Sequence, residues 1–189
     1  MRRHDGFYFR AALGLGGLIG SNRYASSAIA GSSSLEFDSS GLAIVSELAF
    51  GGSPAPGLVI GGGSYGASIG KTRYISDGIE VEDEASAVSV IGPFIDFYPD
   101  PEAGLHLQLA PGLGLISAVE GDFVAEDLGG LGFGFMAGVG YEFWISEQWS
   151  IGALARVLYA NATLLNADGN ERFDVQAIVP GLLFAVTYH

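Results

Sequence analysis

Residues 131–145 read Leu-Gly-Phe-Gly-Phe-Met-Ala-Gly-Val-Gly-Tyr-Glu-Phe-Trp-Ile and alternate without a break. The odd positions, Leu131, Phe133, Phe135, Ala137, Val139, Tyr141, Phe143 and Ile145, are all apolar or aromatic. The even positions, Gly132, Gly134, Met136, Gly138, Gly140, Glu142 and Trp144, are mostly small or polar. Successive side chains of a strand point to opposite faces, so this segment is a strand with one greasy face. Leu105 to Leu115 repeats the rule, with leucines at 105, 107, 109, 113 and 115 against His106, Gln108, Ala110, Gly112 and Gly114. Near the start, Phe7, Phe9, Ala11, Leu13 and Leu15 oppose Tyr8, Arg10, Ala12, Gly14 and Gly16.

Four more segments follow the pattern less cleanly: Gly41–Phe50, Ala87–Tyr98, Trp149–Ala160 and Val175–Tyr188. Leu58–Ile69 reads as a strand whose three consecutive glycines hide its register, which gives eight strands. Short connections rich in Gly and Pro are expected at Gly51–Gly57, Pro99–Gly104 and Ser146–Gln148. Long polar ones are expected at Ser21–Ser40, Lys71–Ser86, Ala118–Gly130 and Asn161–Asp174. Pro93, Pro111 and Pro180 fall inside strands, where a missing N–H leads us to expect local bulges.

Composition limits what such strands build. The 189 residues fit a single domain, 1–189. Hydrophobic residues make up 49% and charged residues only 15%, too apolar and too weakly charged for a disordered chain. Yet the longest uncharged run, Leu48 to Gly70, holds Pro54, Pro56 and eight glycines, which no membrane helix tolerates well. Spanning lipid with strands requires a closed barrel, because hydrocarbon satisfies no backbone polar group. A soluble lipocalin-like carrier would put its apolar face inside. The second face here, rich in Gly, Ala and Ser, offers too little apolar volume for a core, so the greasy face is expected to point outward.

Aromatic residues at the strand ends agree. Phe7, Phe9, Phe50, Phe97, Tyr141, Phe143, Trp149, Phe184 and Tyr188 collect on the short-turn side, as an interfacial girdle would. The fold expected is an all-β, eight-stranded antiparallel up-and-down transmembrane barrel.

The chain here resembles the small eight-stranded outer-membrane barrels of Gram-negative bacteria, the group of the outer-membrane protein A transmembrane domain and proteins X and W. The resemblance spans the whole chain as a pattern. Local support comes from His4-Asp5-Gly6-Phe7-Tyr8 and from Gly92-Pro93-Phe94-Ile95-Asp96-Phe97-Tyr98-Pro99-Asp100. The ending Leu182-Leu183-Phe184-Ala185-Val186-Thr187-Tyr188-His189 is similar to the terminal strand read by the barrel-insertion machinery, although the aromatic residue is penultimate here. The resemblance implies an outer-membrane location with periplasmic termini, and lipid with lipopolysaccharide around the wall. A monomer is expected. No secretory signal is visible, as expected of a mature exported chain, with Met1 an added start.

Under these registers Arg10, Glu47, Asp96, Glu142 and Arg156 point into the bore, as do the polar Tyr8, His106 and Gln108. Buried charges need partners, so a lumen network is expected, with Arg10 and Glu47 on adjacent strands as its first pair. Such a network either plugs the barrel or gates a narrow pore for ions or small solutes. An enzyme acting on lipid would need a nucleophile and an orienting acid near His106. The other histidines, His4 and His189, also lie at the short-turn end, so no catalytic role is expected.

Other signals are weaker. With no cysteine, disulfides and thiolate metal sites are excluded. A net charge of −13 with eight scattered Lys and Arg opposes nucleic-acid binding. Two acidic clusters, Asp77–Glu84 and Glu120–Asp127, lack the spacing of a calcium loop and read as solvated, so neither metal nor cofactor is expected. Gly61-x-Gly63-x-x-Gly66 matches a dinucleotide fingerprint, but no helix pattern follows it.

Overall fold

The computed structural model describes residues 6–26, 34–76, 79–83, 86–118, 128–165 and 171–189. Its strands are β1 (Gly6–Ser26), β2 (Ser34–Ala55), β3 (Leu58–Ile69), β4 (Thr72–Ser76), β5 (Ile79–Asp83), β6 (Ser86–Phe97), β7 (Leu105–Ala118), β8 (Leu128–Trp144), β9 (Trp149–Leu165) and β10 (Glu171–Tyr188). Eight of them, β1, β2, β3, β6, β7, β8, β9 and β10, pair antiparallel with their neighbours. The ring closes because β1 pairs with both β2 and β10. Closure leaves no edge among the eight, so their backbone groups are satisfied without water.

Alternation along each strand sorts the side chains. Leu13, Leu15, Leu105, Leu107, Leu109, Leu113, Phe133 and Phe143 stand exposed on the outside, while Arg10, Glu47, Asp96 and Glu142 are buried within. In water so continuous an apolar wall would be an association hazard. In lipid it is the required surface. The soluble carrier needs the opposite sorting.

The wall also runs far past the greasy band. At ~3.3 Å per residue the 21 residues of β1 extend about 70 Å, whereas a tilted strand crosses hydrocarbon in about 9–11 residues. The expected loops Ser21–Ser40 and Asn161–Asp174 are therefore largely strand. The β1–β2 ladder continues to Ala25↔Ser34, and β9–β10 to Leu165↔Arg172. There the apolar alternation fades while the ladder continues. Within the expected loop Lys71–Ser86, β4 and β5 form a hairpin that joins β2 at Asp38–Ser40. The acidic side chains of Asp77–Glu84 and Glu120–Asp127 lie outside the described residues.

The expected bulges at the prolines are absent. Pro93 pairs with Gly62, Pro111 with Phe135 and Pro180 with Val157, all in unbroken register. Each proline interrupts only its other ladder: β6–β7 lapses between Ile91 and Ile95, and β1–β10 between Gly16 and Ile19. A lost N–H costs a pair of bonds but inserts no residue. The one register shift among the described ladders falls between Gly52 and Ala55, flanking Pro54 beside the first short turn. The Gly61–Gly66 fingerprint sits in the middle of β3, flanked by strand on both sides.

The interior corrects a second expectation. Beyond the charged residues it holds Leu18, Ile69, Val88, Val90, Ile116, Met136, Leu158 and Val179, all buried. The expectation of a bore lined by small and ionised groups holds near the short turns and around Arg156. Elsewhere, and towards the long-loop end, apolar side chains line it, since these need no partners once water is gone. Strand β3 settles its register with Val59, Tyr65, Ala67 and Ile69 inward and Ile60, Ser64 and Ser68 outward.

Candidate functional site

The polar part of the bore is organised by two arginines. Arg10 projects from β1 towards β7, four strands away either way round the ring. It is completely buried. Its Nη2 lies 2.6 Å from Glu142 Oε1 on β8, 2.9 Å from Asp96 Oδ2 on β6 and 2.9 Å from the Tyr98 hydroxyl. Its Nε donates to Thr187 Oγ1 at 3.2 Å and its Nη1 to Gln108 Oε1 at 3.4 Å. The guanidinium carbon also sits 5.3 Å from the centre of the Tyr8 ring. One side chain thus ties together most of the barrel's circumference.

Each acid it meets is otherwise supplied. Glu142 accepts from Thr187 Oγ1 at 2.7 Å and from Ser150 Oγ at 2.6 Å, and lies 3.1 Å from His189 Nε2. Asp96 accepts from the Tyr8 hydroxyl at 3.0 Å and stands 2.8 Å from His106 Nδ1. A buried charge is tolerated when paired and hydrogen-bonded, and this tier meets that condition. Tyr98 stacks on His106 with ring centres 5.1 Å apart. At the short-turn end Tyr8, Tyr98 and Trp144 flank the His189 ring at 5.6, 6.0 and 4.9 Å. Glycine makes room for this packing: a β-carbon on Gly140 would collide with His106 Nε2.

Arg156 forms a second tier. It projects from β9 towards β3, also diametrically opposed, so its axis crosses that of Arg10 at a quarter turn of the ring. Its Nη2 donates to the Gly66 carbonyl at 2.7 Å, and its Nη1 lies 3.7 Å from Glu47 Oε2. Glu47 joins the tiers, since its Oε1 accepts from Gln108 Nε2 at 3.0 Å.

The structure places Tyr8, Arg10, Glu47, Asp96, His106, Gln108, Glu142 and Arg156 all in the bore and buried. The pair expected first, Arg10 with Glu47, is the longest of Arg10's ion pairs at 3.8 Å. Register explains this: Glu47 lies opposite Ala12, while Arg10 faces Ala49 and reaches across the bore instead. Tyr98, Ser150, Thr187 and His189 also belong to the network, and Tyr65 stands opposite Glu47 in register; none of them was singled out from sequence. Parity alone would have found Tyr98, two residues beyond Asp96, and Ser150, six before Arg156.

The outer girdle residues Phe7, Phe50, Phe97, Tyr141, Phe143, Trp149 and Phe184 are exposed to the surroundings, while Phe9 and Tyr188 are half-buried among them. Cross-strand contacts link Phe9 with Phe50 at 5.1 Å and Trp149 with Tyr188 at 5.2 Å, and along β8 Tyr141 meets Phe143 at 4.9 Å.

A Ser–His–acid relay uses opposite ring nitrogens of the histidine. Here His189 Nε2 meets both Ser150 Oγ at 3.2 Å and Glu142 Oε2 at 3.1 Å, and the serine donates directly to the glutamate. Among the described residues no group of three His, Asp or Glu is arranged to hold a metal ion.

No protein-family model matches the chain, and no curated protein matches it in sequence. Solved structures do match in fold. The outer membrane protein OprG from Pseudomonas aeruginosa aligns with a TM-score of 0.60 at 12% identity, over 99% of this chain and 98% of its own. The outer membrane protein AlkL, solved in lipid bilayers, gives 0.53 at 11% identity over 100% and 92%. Neisserial surface protein A gives 0.50 at 16% identity over 97% and 96%. At such identities the likeness concerns architecture, and it extends nearly end to end: this chain has the fold of the small eight-stranded outer-membrane β-barrels.

Proposed function

We propose that the protein is an integral barrel of a bacterial outer membrane with a structural or surface-interaction role, its bore closed by its own side chains. The short turns and both chain ends face the periplasm, and the long strand extensions rise beyond the lipid as the displayed surface. Outer-membrane lipid and lipopolysaccharide surround the wall, the barrel-insertion machinery delivers it, and it works as a monomer without cofactor or catalysis. The observation that carries this reading is Arg10, wholly buried and bound to partners on the opposite wall. A bore spanned in that way has no continuous water path at that level.

Planar-bilayer recording tests it. The wild type is expected to be silent, and steady unitary current steps would overturn the closed bore. A second reading, a narrow conduit for small apolar solutes, draws support from the apolar side chains filling the bore beyond the arginines. It requires faster uptake of an apolar solute by cells carrying the barrel than by cells lacking it.

A further inference from the structure

The two arginine tiers differ in one respect. Around Arg10 the donors and acceptors are matched. In the Arg156 tier Glu47 Oε2, the Tyr65 hydroxyl, Arg156 Nε and Arg156 Nη1 are all buried with no hydrogen-bond partner among the described residues. These atoms belong together. Glu47 lies opposite Tyr65 across β2–β3, and the next residue, Gly66, supplies the carbonyl that Arg156 holds. The 3.7 Å between Arg156 Nη1 and Glu47 Oε2 is too long for a hydrogen bond, while their side chains have no exposure to the surroundings. Buried polar atoms left unpaired are rare because each loses its hydration and gains nothing.

We propose that Glu47, Tyr65 and Arg156 form a buried hydration site that takes one or two water molecules. The ligand must donate to a carboxylate and accept from a guanidinium and a phenol. An anion would be repelled by Glu47, a cation by Arg156, and an apolar guest would satisfy none of them. Water meets all three demands: it donates to Glu47 Oε2 and accepts from Arg156 Nη1 and the Tyr65 hydroxyl. Three bonds is the usual count for a buried water. Arg156 Nε supplies the donor for a second molecule. Glycine clears space here, since a β-carbon on Gly63 would run into the Tyr65 hydroxyl. The bore thus has a dry tier at Arg10 and a wet one at Arg156.

Water-to-protein cross-relaxation in the reconstituted barrel tests the site. A direct cross-peak of the slow-tumbling sign is expected between water and Arg156 Nε–H, and none at Arg10 Nε–H, which Thr187 occupies. Its absence at Arg156, or equal peaks at both arginines, would overturn the proposal. Counting long-lived waters by oxygen-17 relaxation dispersion provides a second arm. Tyr65→Phe is expected to retain them, and Arg156→Met to lose one or two. An unchanged count in folded Arg156→Met would overturn the site, and if that variant fails to fold the wild-type spectrum decides alone. The readout is hydration, so a conducting barrel that passed this test would overturn only the closed bore.

Discussion

Replacing Arg10 by methionine removes the guanidinium that Asp96 and Glu142 share. Methionine is unbranched and flexible enough to fill the vacated stem, so the variant chiefly deletes charge. Asp96 keeps only Tyr8 and His106; Glu142 keeps Thr187, Ser150 and His189. Both carboxylates then stay buried without that guanidinium. Breaking a buried ion pair by removing one partner costs about 3–5 kcal/mol. The pairs at 2.6 and 2.9 Å are fully buried, so solvent screening gives no discount. At about 1.4 kcal/mol per tenfold, the unfolding equilibrium should shift roughly 10²- to 10⁴-fold. Urea unfolding in lipid vesicles, followed by the fluorescence of Trp144 and Trp149, reads this directly. Arg10→Met/Glu142→Gln should recover part of the loss, because neutralising the acid removes one stranded charge. A loss below about 1 kcal/mol in the single variant, or a double variant no better than it, would refute the role given to Arg10.

Other perturbations separate wall from bore. Leu109→Lys, on the lipid face, should destabilise the vesicle-inserted barrel by about 2–4 kcal/mol in the same urea titration. Gly140→Val should drive its side chain into His106 and lower stability by about 1–3 kcal/mol, whereas Gly70→Ala, with open space around it, should leave the midpoint in place. Deleting residues 72–83 removes β4 and β5, whose described strand pairing with the ring is at Asp38–Ser40. The heat-dependent gel shift of the folded barrel should survive that deletion, and its loss would show that the hairpin holds the ring together. Lipids brominated near the headgroup should quench Trp149 more strongly than lipids brominated near the chain ends, which tests the girdle.

Much of this architecture was legible in the alternation of residues 105–115 and 131–145, because lipid outside and packing inside impose opposite demands on neighbouring side chains. Where that contrast disappears, so does the signal. Beyond Ile19 the apolar alternation of β1 stops, and strand there reads as loop. In β3 three consecutive glycines carry no side chain to sort, and its inward face was fixed only by pairing Glu47 with Tyr65. Val90 and Met136 were invisible as filling, since inward apolar residues blur the rule that finds strands. For the charged network, parity identified which residues face inward but not which meet. Arg10 finds its acids across the bore rather than along it, a distance set by ring closure that no local spacing records.

The most direct measurement is a collision-accessibility scan of spin labels across residues 105–115 in lipid vesicles. The chain contains no cysteine, so each label site can be introduced singly. Labels at 107, 109, 113 and 115 should be relaxed by oxygen dissolved in the bilayer and shielded from a water-soluble nickel complex. Labels at 108, 110 and 114 should be reached by neither. Oxygen contact at the even positions, or nickel contact at the odd ones, would contradict a barrel that faces lipid with its leucines and seals its charges inside.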